Sequence, residues 1–244
     1  MTTWLTLATA LPGMQGVPVP YTFRMDEGLT ALLLACFFLS AYVLSRSRNH
    51  LLQLGHDFLL HRERASIFAE TSGGDIRHLL LLVAQTCVLL GTFLYVCFGT
   101  ARPALLDAQP SWKVVGVYAG ACGGFVFLKW MLYLFLGWIF LDRETTRRWT
   151  EAYSILLYYL GFALFLSTLF IVYFSPGFEI MVITGAILFL FLKILAFYKW
   201  LKLFCGNLYG SLLLILYFCA VEIIPCLILY RGLVQLNDYW TINY

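Results

Sequence analysis

His78–Phe98, HLLLLVAQTCVLLGTFLYVCF, decides the fold. The stretch holds no Asp, Glu, Lys or Arg, and about 20 mostly apolar residues are what an α-helix needs to cross the hydrocarbon core of a bilayer. Five further stretches read the same way: Leu29–Ser45, Val114–Leu141, Trp149–Phe174, Phe178–Tyr198 and Leu203–Leu233. Only hydrogen-bonded helices or closed barrels satisfy the backbone in lipid, and runs this long and this uniformly apolar are helical. Ser175-Pro176-Gly177 is a tight turn between the fourth and fifth stretches and forces them into an antiparallel hairpin.

The whole chain agrees with that segment. Of 244 residues, 61% are hydrophobic and 12% charged, against roughly 45–50% and 25% in soluble domains. Mean hydropathy is +0.83. Surface-to-volume scaling leaves no soluble fold of this length able to hide so much apolar side chain. This excludes a soluble enzyme, a disordered chain and a nucleic-acid-binding domain. The expected fold is all-α: a polytopic bundle of six membrane helices. Residues 1–28 read as an extended non-cytoplasmic tail, 29–234 as one membrane domain and 235–244 as a short second tail. Met1–Met25 lacks a basic region ahead of its apolar stretch and is interrupted by Pro12, Pro18 and Pro20, so it does not read as a signal peptide.

Net charge is only +3, and the placement of charge says more than its sum. Arg46, Arg48, Arg62, Arg64, Arg77, Arg143, Arg147, Arg148, Lys199 and Lys202 fall in connections on one side of the six spans. Arg24, Arg102, Lys113 and Arg231 fall on the other. The positive-inside rule puts the first set in the cytoplasm and both termini outside it, in the periplasm of a bacterium. Within 46–77, Leu51, Leu54, Phe58, Leu59 and Phe68 recur near helical spacing among charges. They predict an amphipathic helix over Ser47–Glu70, either lying on the cytoplasmic membrane surface or packed on the end of the bundle.

Four features stand out within the spans. Lys129 lies about 20 Å from either end of its span at about 1.5 Å per residue. That is too deep to snorkel, and a charge at mid-bilayer costs at least about 2.5–3.5 kcal/mol. Glu222, roughly 13 Å from the end of the sixth span near Arg231, comes out at a similar depth. A buried Lys129–Glu222 ion pair follows, serving either as a proton or ion site or as a pin for helix register. Pro225 removes an N–H three residues on and frees the carbonyl of Val221, which predicts a kink. Gly116, Gly120 and Gly124 form a doubled GxxxG, and Gly206 and Gly210 repeat it on the sixth span. Such stripes let another backbone approach closely, within the bundle or from another subunit. Lys193, about 9 Å from Lys199 along its helix, is expected to snorkel to the interface.

Little else carries chemistry. The seven Cys show no CxxC, the four His show no HExxH, and no GxSxG or P-loop occurs. No catalytic residue, metal or cofactor is expected. Arg62, Arg64, Arg143 and Arg147 suit lipid headgroups. Gln85, Thr86, Tyr158 and Tyr159 could line a polar seam. Trp112, Tyr198, Trp200, Tyr239 and Trp240 suit interfacial belts. The expected partners are the lipid bilayer and other membrane subunits, not nucleic acid.

Two motifs, Arg62-Glu63-Arg64-Ala65-Ser66-Ile67-Phe68 and Ala220-Val221-Glu222-Ile223-Ile224-Pro225, resemble those of an uncharacterised family of six-span inner-membrane proteins of Bacteroidota. The resemblance covers about Leu29 to the C-terminus. It implies an inner-membrane location, no established activity and an accessory role in envelope processes, the type IX secretion route among them. It marks Glu222, Pro225, Arg62, Glu63 and Arg64 as recurring polar features without assigning them roles. The function expected is a non-enzymatic subunit or scaffold of a cell-envelope membrane complex. The alternative is a small proton- or ion-coupled transporter built on Lys129 and Glu222.

Overall fold

The computed structural model describes residues 22–60, 73–103, 110–140, 143–204 and 208–242. Among these the chain is all-helical, with no strand. The six long helices are α1 (Glu27–Leu60), α2 (Gly73–Ala101), α3 (Ser111–Phe140), α4 (Arg143–Phe174), α5 (Phe178–Phe204) and α6 (Leu208–Ile242). All six are long and apolar enough to cross a membrane.

Local chemistry sets several helix ends. Asp26 caps α1: its carboxylate accepts the Gly28 and Leu29 N–H groups at 2.9 and 3.3 Å, and its carbonyl takes the Thr30 N–H at 3.1 Å. This satisfies donors that the first turn otherwise leaves open. Ahead of it, Phe23–Met25 is one 3-10 turn, with Phe23 set edge-on to Tyr95 of α2 at 5.7 Å. Residues 23–28 are therefore docked on the bundle; residues 1–21 of the expected tail lie outside the described residues. Ser175 ends α4 in the left-handed region, φ 44°, its N–H donating to the Ile171 carbonyl at 3.0 Å. Pro176 cannot continue a helix, so the chain reverses into α5, and α4 and α5 pack as the expected hairpin.

The centre of the bundle is α2 and α4, with 61% and 50% of their apolar windows buried, whereas α5 has 11% and α6 22%. Buried side chains form two clusters along the axis. One gathers Val43, Leu82, Tyr133, Trp149, Tyr153 and Leu156. The other gathers Leu33, Leu89, Val96, Val114, Tyr118 and Ile171. The expected polar seam lies between them. Gln85 donates to Ser40 Oγ at 2.6 Å, and the Thr86 hydroxyl lies 3.2 Å from the Leu157 carbonyl of α4. Gly161 of α4 sits directly against Thr86. Small-to-polar contacts of this kind replace the hydrophobic drive that lipid cannot supply between helices.

Two expectations change, and one open choice narrows. Residues 47–60 are helical but continue α1 without a break, and the Gly55 backbone lies against the Tyr159 hydroxyl of α4. They form part of the first helix rather than a separate interfacial one; residues 61–70 lie outside the described residues. The C-terminal tail is also helical as far as Ile242. Trp240 stacks on Tyr118 of α3 at 6.4 Å. Buried Asn237 accepts a hydrogen bond from the Tyr118 hydroxyl. Last, the glycine stripe of α3, for which an internal and an external partner were both open, meets no neighbour among the described residues: a Cβ added at Gly116, Gly120 or Gly124 would have nothing within 4 Å. The close α2–α3 approach is made by Gly91, where a Cβ would come within 2.6 Å of the Ala119 backbone nitrogen.

Candidate functional site

The helical repeat of α3 places Lys129 and Tyr133, four residues apart, on one face. That face meets α6 at Glu222. Lys129 is 2% exposed and Glu222 7% by side chain, and their ammonium and carboxylate oxygen Oε2 are paired as expected. Two residues complete the cluster that the sequence reading did not assign to it. Lys193 of α5 also donates to Glu222 Oε2, so it turns into the bundle instead of snorkelling outward. The Tyr133 hydroxyl donates to the other oxygen, Oε1. One carboxylate thus joins three helices through three donors, and both its oxygens are engaged.

Aromatic rings surround the amines. Lys129 Nζ lies 5.5 Å from the Phe125 ring centroid, 5.9 Å from Tyr153 and 6.0 Å from Tyr133. Lys193 Nζ lies 5.2 Å from Phe189. Ring faces attract cations, by about 2 kcal/mol when desolvated, and so offset part of the desolvation. Tyr133 is itself held by edge-on contacts to Trp149 at 5.4 Å and Tyr153 at 5.2 Å. Its hydroxyl is aimed by packing. Tyr133→Phe keeps that packing and deletes the donor, so it is expected to lower unfolding stability by about 1–2 kcal/mol, read from denaturant unfolding of the full chain in detergent.

Pro225 lies inside α6, which continues through it. The Cys226 thiol donates to the Glu222 carbonyl at 3.1 Å, and this ties the backbone of Glu222 to the turn that holds Pro225. The signal for Lys193 was in the sequence: an intramembrane amine needs a partner. Its residue numbers left a choice between water and Glu222 that only the packing of α5 resolves.

The remaining candidates fall elsewhere. Arg143 and Arg147 stand on the first turns of α4. Arg147 lies 3.6 Å from Glu151 and Arg148 3.0 Å from Glu144, both pairs one helical turn apart. Gly210 lies on α6. Gly206, Arg62, Glu63 and Arg64 lie outside the described residues. At the opposite end of the bundle from α4's basic turns, Arg102 pairs with Asp238, both about half exposed; such pairs are worth less than about 1 kcal/mol.

No curated protein and no solved structure gives a match to this chain. A family model does: it spans residues 29–233, from the start of the first apolar window to beyond Glu222 and Pro225, and the chain belongs to that family, described as a domain of unknown function, DUF4271.

Proposed function

We propose that the chain is a non-enzymatic subunit of a protein complex in the cell-envelope membrane. The observation that carries this reading is the open glycine stripe. Gly116, Gly120 and Gly124 align on one face of α3, and among the described residues nothing lies within 4 Å of a Cβ added at any of them. A stripe of small residues is the surface on which a second transmembrane helix approaches most closely. The inner membrane of a Bacteroidota envelope, periplasmic termini and an association with secretion come with the charge asymmetry and the family resemblance, and belong to this proposal.

The test is crosslinking in native membranes from a photoreactive residue at Gly120, followed by mass spectrometry. A stoichiometric partner is expected. Gly116→Leu, Gly120→Leu and Gly124→Leu together are expected to cut its yield at least tenfold while leaving the melting temperature of the purified chain unchanged. No crosslink, or a yield indifferent to the three leucines, would overturn the reading.

The Lys193 contact favours a second reading, a proton pathway. Two ammonium groups on one carboxylate carry a net positive charge when all three are ionised. The cluster is balanced when one amine is neutral, and buried unbalanced charge is costly. The two states differ by one proton shared among α3, α5 and α6. Proton flux into liposomes that is abolished by Glu222→Gln would support it. Flux at the level of empty liposomes from the native chain would dismiss it.

A further inference from the structure

The Glu222 cluster does not sit at the middle of the bundle. Tyr133 packs edge-on against Trp149 and Tyr153, and Lys129 Nζ lies over the Tyr153 ring. At about 1.5 Å per residue, Tyr153 stands about 8 Å along α4 from half-exposed Arg148 and about 32 Å from Phe174 at the other end of the helix. The depth on α5 is the same: Lys193 is about 9 Å from Lys199 and about 22 Å from Phe178. Glu222 is about 24 Å along α6 from Asp238. The cluster therefore lies close to the end of the bundle that carries the α4 arginines, the basic end.

The two directions out of it differ. Toward the far end the interior is filled by Leu89, Val96, Val114, Tyr118, Ile171 and Met181, each at most 2% exposed. Toward the basic end, Lys193 is 21% exposed by side chain, against 2% for Lys129 and 7% for Glu222. α5 packs chiefly on α4 and α6 chiefly on α3, so Lys193 reaches Glu222 across the seam between two helices. From its depth a lysine stem can also carry the ammonium to the interface. Three ionised groups hold one positive charge in excess. When the ammonium that leaves is Lys193, the remainder is the neutral pair Lys129–Glu222, and no uncompensated charge stays buried, which would be the costly outcome. The other titratable groups facing the cluster among the described residues are Tyr133 of α3, Tyr153 of α4 and Cys226 of α6. None of them has such a route: both tyrosines are buried, and the Cys226 thiol is held on the Glu222 carbonyl.

We infer that Lys193 is a swinging side chain that exchanges the cluster's proton with water at the basic end, and at that end only. Docked, its ammonium donates to Glu222 Oε2. Swung out, it gives a proton from Nζ to water or a buffer base and returns as the neutral amine, which completes a balanced cluster. The inference rests on the same cluster as the proton-pathway reading but not on flux. Net transport needs a further exit toward the far end, and the absence of transport leaves the swing of Lys193 standing.

The experiment is time-resolved infrared difference spectroscopy on the full chain in proteoliposomes, sorted by orientation with a C-terminal affinity tag at the far end. External pH is stepped, and the Glu222 carboxylate band is identified as the one lost when Lys129→Met, Glu222→Leu and Lys193→Met are combined. With the basic end outward the band is expected to shift at least a hundredfold faster than with the tag outward. Lys193→Met keeps the neutral Lys129–Glu222 pair and is expected to abolish the shift at an unchanged or higher melting temperature. Equal rates in the two orientations, a faster response with the tag outward, a shift that survives Lys193→Met, or no shift in either orientation would overturn the inference. Flux measured on the same vesicles tests the proton-pathway reading separately.

Discussion

Glu222→Ala is expected to destabilise the folded chain by about 3–5 kcal/mol, the cost of leaving a buried charge uncompensated. The carboxylate is shared by two amines, so the loss strands both. Lys129 has no route out, at 2% exposure. Lys193, at 21%, can recover part of its solvation by rotating toward the membrane surface. The substitution should therefore act chiefly through Lys129. Denaturant unfolding in detergent measures it, and Lys129→Met combined with Glu222→Leu is the decisive comparison. Replacing a buried ion pair by apolar groups of similar size is often neutral or stabilising. The double variant should regain most of the lost stability, and more again with Lys193→Met. That result separates folding from function. If the uncharged bundle is stable and still supports growth and complex assembly, the cluster serves register alone. If it is stable but inactive, the charges serve something beyond the fold. A single Glu222→Ala loss below about 1 kcal/mol would mean that the three groups are not mutually engaged.

Gly91→Ala is the second large effect. A methyl there would come 2.6 Å from the Ala119 nitrogen and 2.9 Å from its Cα. Those atoms are helix backbone, so α2 and α3 must separate, and forcing extra atoms into a packed contact costs about 1–3 kcal/mol. Alanine is the better helix former by about 1 kcal/mol, which partly offsets the clash; Gly91→Leu, with a longer side chain against the same backbone, should exceed the upper figure. Gly120→Ala makes the contrast, with the same propensity gain and no neighbour within 4 Å. Its melting temperature in detergent should equal or exceed that of the native chain, while that of Gly91→Ala falls. The opposite order would exchange the internal and external faces of α3. It would also remove the support for a partner helix on the Gly116–Gly124 stripe.

These two sites show what could be read without the fold. Membrane insertion, six helices and the Ser175–Gly177 hairpin follow from local composition, because lipid accepts few backbone solutions and apolar length alone selects among them. The Lys129–Glu222 pair was also legible, since two isolated charges at matching depth have few alternatives to each other. Lys193 and Tyr133 were not. Whether an amine near a helix end turns to water or to a carboxylate depends on how far its helix is rotated, and α5 is apolar all round, so periodicity gives it no preferred face. The same reason leaves the partner of the glycines open in the sequence. GxxxG on α3 marks a surface suited to close approach, but the approach was made by the single Gly91 of α2, with no motif around it. The extensions of α1 beyond Arg46 and of α6 to Ile242 meet tertiary partners that the sequence does not name, Tyr159 at Gly55 in one case and Tyr118 at Asn237 in the other. Composition determined that the chain enters a bilayer and how many times it crosses. Helix rotation and neighbour choice, which carry small energies per contact in lipid and no hydrophobic drive, were decided only when the bundle closed.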